Sequence, residues 1–372
     1  MNPLKFIWGI FFRLFPCPVP TGLRRIGNPG PDAPVLVTCN FYIAVRRLIR
    51  ALQGIDLWLL VADSKGVNVW CAAGGDEFNT QSVVSVVKTS GIGELVDHRK
   101  LILPPLGAPG IIAKELKDRT GWSVRWGPVR GGDIPQYLRA GQRRSEPMKR
   151  VTYNWFERLD TALGALFPFF FLGAAGFFIF SRHLFLDYVL ISAMAFLFFM
   201  LTCPWLPGKR GLTKAIFLDL ILGMVLVLYE VSGIRSTVAI RSDLVIAMIM
   251  ILLYGTELGG LASTMPSDLD PFLARLGIGA IGNVAFAGSV RTELLNGYRD
   301  LTYDRNRCIG CRNCNEVCPQ GVWAMDEERH AVLGQREKCT ACRACIVQCL
   351  SGAIQAECRP HAEGTGICRE ER

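Results

Sequence analysis

The chain has 372 residues, fourteen cysteines and a formal net charge of +9, with a mean hydropathy of +0.28. That length accommodates two or three domains. The charge does not indicate nucleic acid, because no recognition motif adjoins the bases, and eight cysteines crowd into two C-terminal runs where an extracellular disulfide framework would disperse them.

Residues 1–20 carry Lys5, Arg13 and an apolar patch, followed by Pro16, Pro18 and Pro20. With no small-residue cleavage site, the segment 4–15 reads as an interfacial amphipathic helix and not as a removed signal. Residues 21–150 then alternate strand and helix patterns, which predicts a layered α/β domain. Strands are expected at 35–38, 57–63, 101–103 and 124–126. Helices are expected near 44–52, 79–89 and 111–118, the last closing on Gly121 as a C-cap. The run at 57–63 lacks alternation, as an interior parallel strand does.

Arg139, Arg143, Arg144, Lys149 and Arg150 precede the first long apolar run, a placement that suits a cytoplasmic flank. Apolar runs at 162–180, 188–208, 215–229 and 236–254 predict four membrane spans within a helical bundle and connector at 151–298. Residues 276–290 are shorter and glycine-rich, and read as either a re-entrant segment or a fifth span. Asp219, Arg241 and Asp243 are expected to pair or anchor inside the bundle and not to carry a substrate.

Residues 299–358 hold two runs spaced C-x2-C-x2-C-x3-C: Cys308, Cys311, Cys314 and Cys318, then Cys339, Cys342, Cys345 and Cys349. This is the spacing of bacterial two-cluster ferredoxins, where the fourth cysteine of each run ligates the other cluster. One [4Fe-4S] cluster is therefore expected on Cys308, Cys311, Cys314 and Cys349, and a second on Cys339, Cys342, Cys345 and Cys318. The duplicated spacing argues against zinc. Pro319 follows the first run, whereas Leu350 replaces proline after the second. Such thiolate clusters assemble in a reducing compartment, so both soluble domains are expected to face the cytoplasm from a multi-pass cytoplasmic-membrane protein. Cys358, and Cys368 in the tail 359–372, are candidate ligands for a soft metal or inert tail cysteines.

The segment from Asp63 to Gly75 reads as a strand end, a glycine turn and a short helix centred on Cys71. Its Asn68, Val69, Trp70, Cys71, Ala72, Ala73 and Gly74 resemble the cap-helix motif of the mercury-methylating corrinoid protein, here fused to its ferredoxin partner. Asn28-Pro29, Leu101-Ile102-Leu103-Pro104, Gly107-Ala108-Pro109-Gly110 and Gly127-Pro128-Val129-Arg130 extend the likeness, which departs at Gly75, where the family has lysine. The resemblance implies an α/β corrinoid-binding domain, a membrane bundle and an α+β ferredoxin domain. It makes Cys71 the lower ligand to cobalt and the catalytic residue, with Asn68, Trp70, Ala72, Ala73 and Gly74 around the cofactor.

The activity implied is corrinoid-dependent methyl transfer to mercury(II), with Cys358 and Cys368 as candidate mercury ligands and the clusters supplying electrons. The partners implied are a methyl-donor protein or methylated corrinoid donor, an electron donor and membrane lipid, with no nucleic acid. The α/β domain also resembles corrinoid subunits of acetyl-CoA pathway proteins, which implies methyl transfer in carbon metabolism. A membrane electron-transfer subunit without methyltransferase activity is the non-enzymatic reading. A nicotinamide enzyme is not indicated, because no G-x-G-x-x-G follows a strand.

Overall fold

The computed structural model describes residues 16–152, 170–203, 205–207, 211–231, 244–252, 298–339 and 342–358. The expected interfacial helix at 4–15, the run at 276–290, Arg241, Asp243 and Cys368 lie outside these residues. Residues 16–152 and the described part of 298–358 belong to one compact unit, and the apolar helices belong to another.

The α/β domain is built on a five-stranded sheet of order β1-β3-β2-β4-β5: β1 (Gly22–Ile26), β2 (Val35–Cys39), β3 (Leu57–Ala62), β4 (Lys100–Leu103) and β5 (Ser123–Trp126). Strands β2 and β3 are interior because both faces are apolar: Val35, Leu36, Val37, Leu59, Leu60 and Val61 are all buried. Pairing is parallel from β3 across β2 to β4 and β5, and β1 closes the edge antiparallel to β3. Sequence patterning identifies β2 to β5 but not β1. The sequence Gly-Leu-Arg-Arg-Ile reads as loop, and its arginines are tolerated because an edge strand keeps one side toward water.

Helices α1 (Tyr42–Ala51), α2 (Val69–Gly74), α3 (Thr80–Thr89) and α4 (Ala113–Thr120) connect these strands. In α1, Ile43, Val45 and Leu48 are buried, and the arginines lie on its other face. Asn79 caps α3 through a reciprocal box with Ser82. Gly121 ends α4 at φ +76°, as the sequence pattern predicts. The core between sheet and helices contains Leu36, Leu52, Leu57, Leu59, Ile102 and Tyr137.

In the second unit, α5 (Arg182–Thr202) and α6 (Gly211–Val231) are each 21 residues long. Among the described residues, one helix, Leu184–Thr202, is long and apolar enough to cross a membrane. The four-span bundle expected from hydropathy is therefore unsupported. The described part of the first run is the shorter apolar helix Phe170–Phe180, and most of the fourth lies outside the described residues. Hydropathy registers length and composition alone, so it counts each apolar run as a crossing.

The C-terminal module is an internal repeat. Strands β6 (Tyr298–Tyr303) and β9 (Ile354–Cys358) pair antiparallel, as do β7 (Trp323–Met325) and β8 (Ala331–Leu333). Each cysteine run opens after a 3-10 turn, Arg305–Arg307 or Arg336–Lys338, and leads into a short helix, α7 (Asn313–Val317) or α8 (Ala344–Val347). The residue before each helix is an arginine in the left-handed region, Arg312 at φ +65° and Arg343 at φ +59°. The same unusual backbone at the same place in both halves turns each run around its centre.

Candidate functional site

Two separate constellations emerge. In the C-terminal module, Cys308, Cys311, Cys314 and Cys349 line one cavity. Cys318, Cys339, Cys342 and Cys345 line another. The fourth cysteine of each run has thus crossed to the other run's cavity. Burial pushes the Cys314 thiol up to about 12, with further increments from Cys311, Cys308 and Cys349. Cys345 is also driven well above the ordinary thiol value, by burial first and then by Cys342, Cys318 and Cys339. Four thiolates crowded in a buried space repel one another unless a cationic centre compensates them. Cys308 goes the other way: burial opposes its ionisation, but hydrogen bonds involving Ala331, Tyr303 and Gly310 outweigh it and lower its value.

The second constellation is at the carboxyl ends of the parallel strands, where the chain leaves β3 on one side of β2 and β4 on the other. Crevices at such points are the usual ligand sites of open α/β sheets. Asn40, 4% exposed at the end of β2, organises the loop after β3. Its Oδ1 accepts from the Ser64 amide at 2.9 Å, the Ser64 hydroxyl at 2.8 Å and the Gly66 amide at 2.9 Å. Its Nδ2 donates to Asp63 at 3.2 Å. Gly66 sits at φ +74°, and a Cβ there would meet Pro18 at 2.6 Å, so only glycine completes this turn.

The loop delivers the chain to α2. Asn68 is the N-cap, accepting from the Cys71 amide at 3.0 Å. Its Nδ2 also donates to Cys71 Sγ at 3.2 Å. Trp70, Ala72 and Ala73 are buried and anchor the helix, whereas Cys71 and Gly74 are half-buried and Asn68 is exposed. The thiol is raised by burial, lowered by the Asn68 hydrogen bond and raised again by the nearby Glu77 charge.

Gly75 ends α2 at φ −87°, a conformation open to any residue. A Cβ at this position would collide with the Glu77 carboxylate. Glu77 Oε2 is buried without a hydrogen-bond partner, and burial raises that carboxyl. The position occupied by lysine in the cap-helix motif is therefore filled from two residues downstream, by a group of opposite charge.

Sequence reasoning missed Asn40, Glu77 and Gln348. A single asparagine after a strand carries no pattern, and Gln348 occupies a spacer position between two cysteines. The basic stretch also differs from expectation. Arg144 and Lys149 pair with Glu316, Lys149 and Arg150 pair with Glu146, and Arg150 donates to the Cys318 carbonyl at 2.7 Å. Three of the five flanking bases thus hold the C-terminal module instead of standing free before an apolar run. Cys358 ends β9 opposite Tyr298.

Residues 14–138 match the family described as CO dehydrogenase/acetyl-CoA synthase delta subunit, and residues 300–350 match the 4Fe-4S dicluster domain. Curated relatives of the first region include the acetyl-CoA decarbonylase/synthase complex subunit gamma of Methanopyrus kandleri, 35% identical over 125 residues. That match covers 33% of this chain and 27% of the relative. The subunit of the same name from Archaeoglobus fulgidus is 37% identical over 125 residues, 33% of this chain and 26% of the relative. The one from Methanocaldococcus jannaschii is 29% identical over 149 residues, 40% and 29% respectively. The chain spans about a quarter of the length of these relatives. The two matched regions, 14–138 and 300–350, lie in one chain.

Proposed function

We propose that the protein is a corrinoid-dependent methyl-transfer protein of carbon metabolism, carrying its own two-cluster electron supply. The supporting observation is the pairing, in one chain, of a domain shared with acetyl-CoA decarbonylase/synthase gamma subunits and a module whose eight cysteines line two cavities, four to each. Tetrathiolate cavities fit [4Fe-4S] cubanes. A half-buried Cys71 sulfur, with Asn68 as its hydrogen-bond donor, would serve as a ligand to the cobalt of a corrinoid. When bound, the corrinoid supplies a cobalt centre that carries a methyl group, and the cubanes supply the electrons that restore that centre.

The chain's own residues perform the remaining tasks. Cys71 presents a thiol sulfur to the metal face, and Asn68 fixes its direction by donating to Sγ while capping the helix. Trp70, Ala72 and Ala73 lock α2 against the domain so that the sulfur does not retreat. Asn40 sets the height of the loop from which α2 starts. Cys308, Cys311, Cys314 and Cys349 hold one cubane, and Cys318, Cys339, Cys342 and Cys345 hold the other. A sulfur donor raises electron density at the metal it touches, as axial ligands do elsewhere.

A second reading, with mercury(II) as methyl acceptor, rests on the Cys71 helix itself, whose Asn-Val-Trp-Cys-Ala-Ala-Gly sequence resembles that of the mercury-methylating family. Gly75 and Glu77 weigh against it, since the lysine of that pattern is replaced by a carboxylate in the same space. In this reading Cys358 and Cys368 would receive the metal ion. Attachment to the cytoplasmic membrane through α5, with the soluble modules on the cytoplasmic side, accompanies both readings.

The test is anaerobic purification with membranes, followed by iron, sulfide, cobalt and corrinoid analysis. The protein, loaded with a radiolabelled methyl group, is then offered an acetyl-CoA decarbonylase/synthase complex or mercury(II). Label passing to the complex supports the carbon-metabolism reading, and label passing only to mercury(II) replaces it with the second. Full cluster loading with no retention of supplied corrinoid would leave an electron-transfer subunit.

A further inference from the structure

The two cysteine cavities touch the α/β domain at different places. The cavity containing Cys318 meets the arm that follows β5: Arg150 donates to the Cys318 carbonyl at 2.7 Å, and the Val151 amide donates to the Pro319 carbonyl at 2.9 Å. The cavity containing Cys349 meets the loop between β4 and α4. Gln348, next to Cys349 in the chain and 4% exposed, inserts its side chain there. Its Nε2 donates to the Ala108 carbonyl at 2.9 Å and to the Ile111 carbonyl at 2.5 Å. Its Oε1 accepts from the Ala113 amide at 3.4 Å. Asn313, beside Cys314, donates to the Gln348 carbonyl at 3.1 Å and stiffens the same corner.

A buried amide with all three of its polar contacts made across a module boundary is a fixed joint, because an unmade bond there costs desolvation without return. The loop it grips packs directly on α2. A Cβ on Gly110 would meet the Ala73 carbonyl at 2.7 Å and the Ala73 Cα at 3.1 Å, so the two backbones approach as closely as glycine allows. From Cys349 the connection runs through one peptide bond to Gln348, across a hydrogen bond to the 108–111 loop, and across a backbone contact to a residue two positions from Cys71. On the Cys318 side, the Arg150 and Val151 bonds run to the arm after β5.

We infer that electrons leave the ferredoxin module from the Cys308–Cys311–Cys314–Cys349 site, and that Gln348 is the positioning residue that couples this site to the Cys71 helix. The inference rests on the corrinoid reading above. In the step, one cluster is oxidised by one electron and cobalt(II) is reduced by one electron to cobalt(I). No covalent bond within the protein forms or breaks, and a low-potential one-electron donor refills the cluster. The Cys318 site is then the entry side.

The experiment uses the full chain, purified anaerobically in detergent with clusters and corrinoid loaded and reduced by dithionite in stopped flow. Cluster bleaching and cobalt(I) absorbance are followed separately. Gln348→Met keeps the side-chain length but removes the three side-chain hydrogen bonds. It is expected to slow cobalt reduction at least tenfold while the clusters reduce at the wild-type rate. Hydrogen exchange of the corrinoid-free chain should show faster exchange at residues 108–113 in this variant. Arg150→Gln, which disturbs the contact to the Cys318 carbonyl and the Glu146 pair but none of the Gln348 contacts, should leave cobalt reduction as in wild type. Ala113→Pro removes the donor to Gln348 at the first position of α4, where proline is tolerated, and should slow transfer in the same direction. If Gln348→Met loses iron, Ala113→Pro decides the matter.

A wild-type transfer rate in the Gln348 and Ala113 variants, or slowing by Arg150→Gln alone, overturns the inference and leaves the corrinoid reading standing. A loaded wild-type protein whose reduced clusters never reduce cobalt sinks both.

Discussion

The cysteine cavities and the Cys71 helix solve the problem of presenting sulfur to a metal in opposite ways. Each cavity gathers four thiols from two distant runs, and burial raises the pKa of Cys314 and Cys345. Such a site makes sense only when filled, and its ligands face one another. The Cys71 helix offers one half-buried sulfur that accepts a hydrogen bond from the Asn68 side chain. A closed set of donors fixes a cofactor in place, whereas one donor under an open face leaves the opposite side of the metal free for exchange. In the proposed function, the difference separates electron storage from group transfer within one chain.

Breaking one cavity should have the largest effect. Cys345→Ser removes a buried thiol from the Cys318 cavity. Iron analysis of the anaerobic full-length protein should fall to about half of the roughly eight atoms expected for two cubanes, with corrinoid retention unchanged. Undiminished iron would show that the four thiols do not act as one set. Next in size is the loop under the open site. Asn40→Ala strips three donors of their acceptor, and chemical denaturation should reveal a loss of about 3 kcal/mol, accompanied by weaker corrinoid retention. A loss of a few tenths would mean that the loop holds its shape without Asn40.

Asn68→Ala should cost about 1 kcal/mol from the lost helix cap. Because it also removes the hydrogen bond to Sγ, the cobalt absorption spectrum should shift. Gly75→Lys should change stability least, by less than about 1 kcal/mol, since φ at this position suits any residue and the new ammonium would pair with Glu77. Its consequence is chemical: a mercury-inactive wild type that gains mercury methylation in this variant would assign the glycine a role in acceptor choice. Equal activities would remove that role.

How far the sequence alone foretold these sites follows the same division. The eight cluster cysteines are legible because cubane geometry imposes a rigid local spacing, and the structure brings them together in the crossed groups that this spacing implies. Strands β2, β3 and β4 are legible because a parallel interior strand is apolar on both faces, and β5, at the other edge, shows through the alternation of Val124, Arg125 and Trp126. Strand β1 is not, because an edge strand with two arginines has the composition of a loop. The α2 helix and its Asn68 cap are readable locally, but Asn40 and Gln348 are not. Each works through side-chain contacts made 23 or more residues away in the chain, at positions where no periodicity or spacing marks them. In the second unit the expectation from hydropathy is unsupported. Four apolar runs suggested four spans, while among the described residues one helix meets the length and composition of a crossing.

The most direct test of the account compares the cobalt absorption and electron paramagnetic resonance spectra of corrinoid-loaded wild-type and Cys71→Ala proteins, prepared anaerobically with their clusters intact. A sulfur bound to cobalt predicts that the alanine protein retains the corrinoid but shows a different lower-ligand signature. Identical spectra from two equally loaded proteins would contradict it.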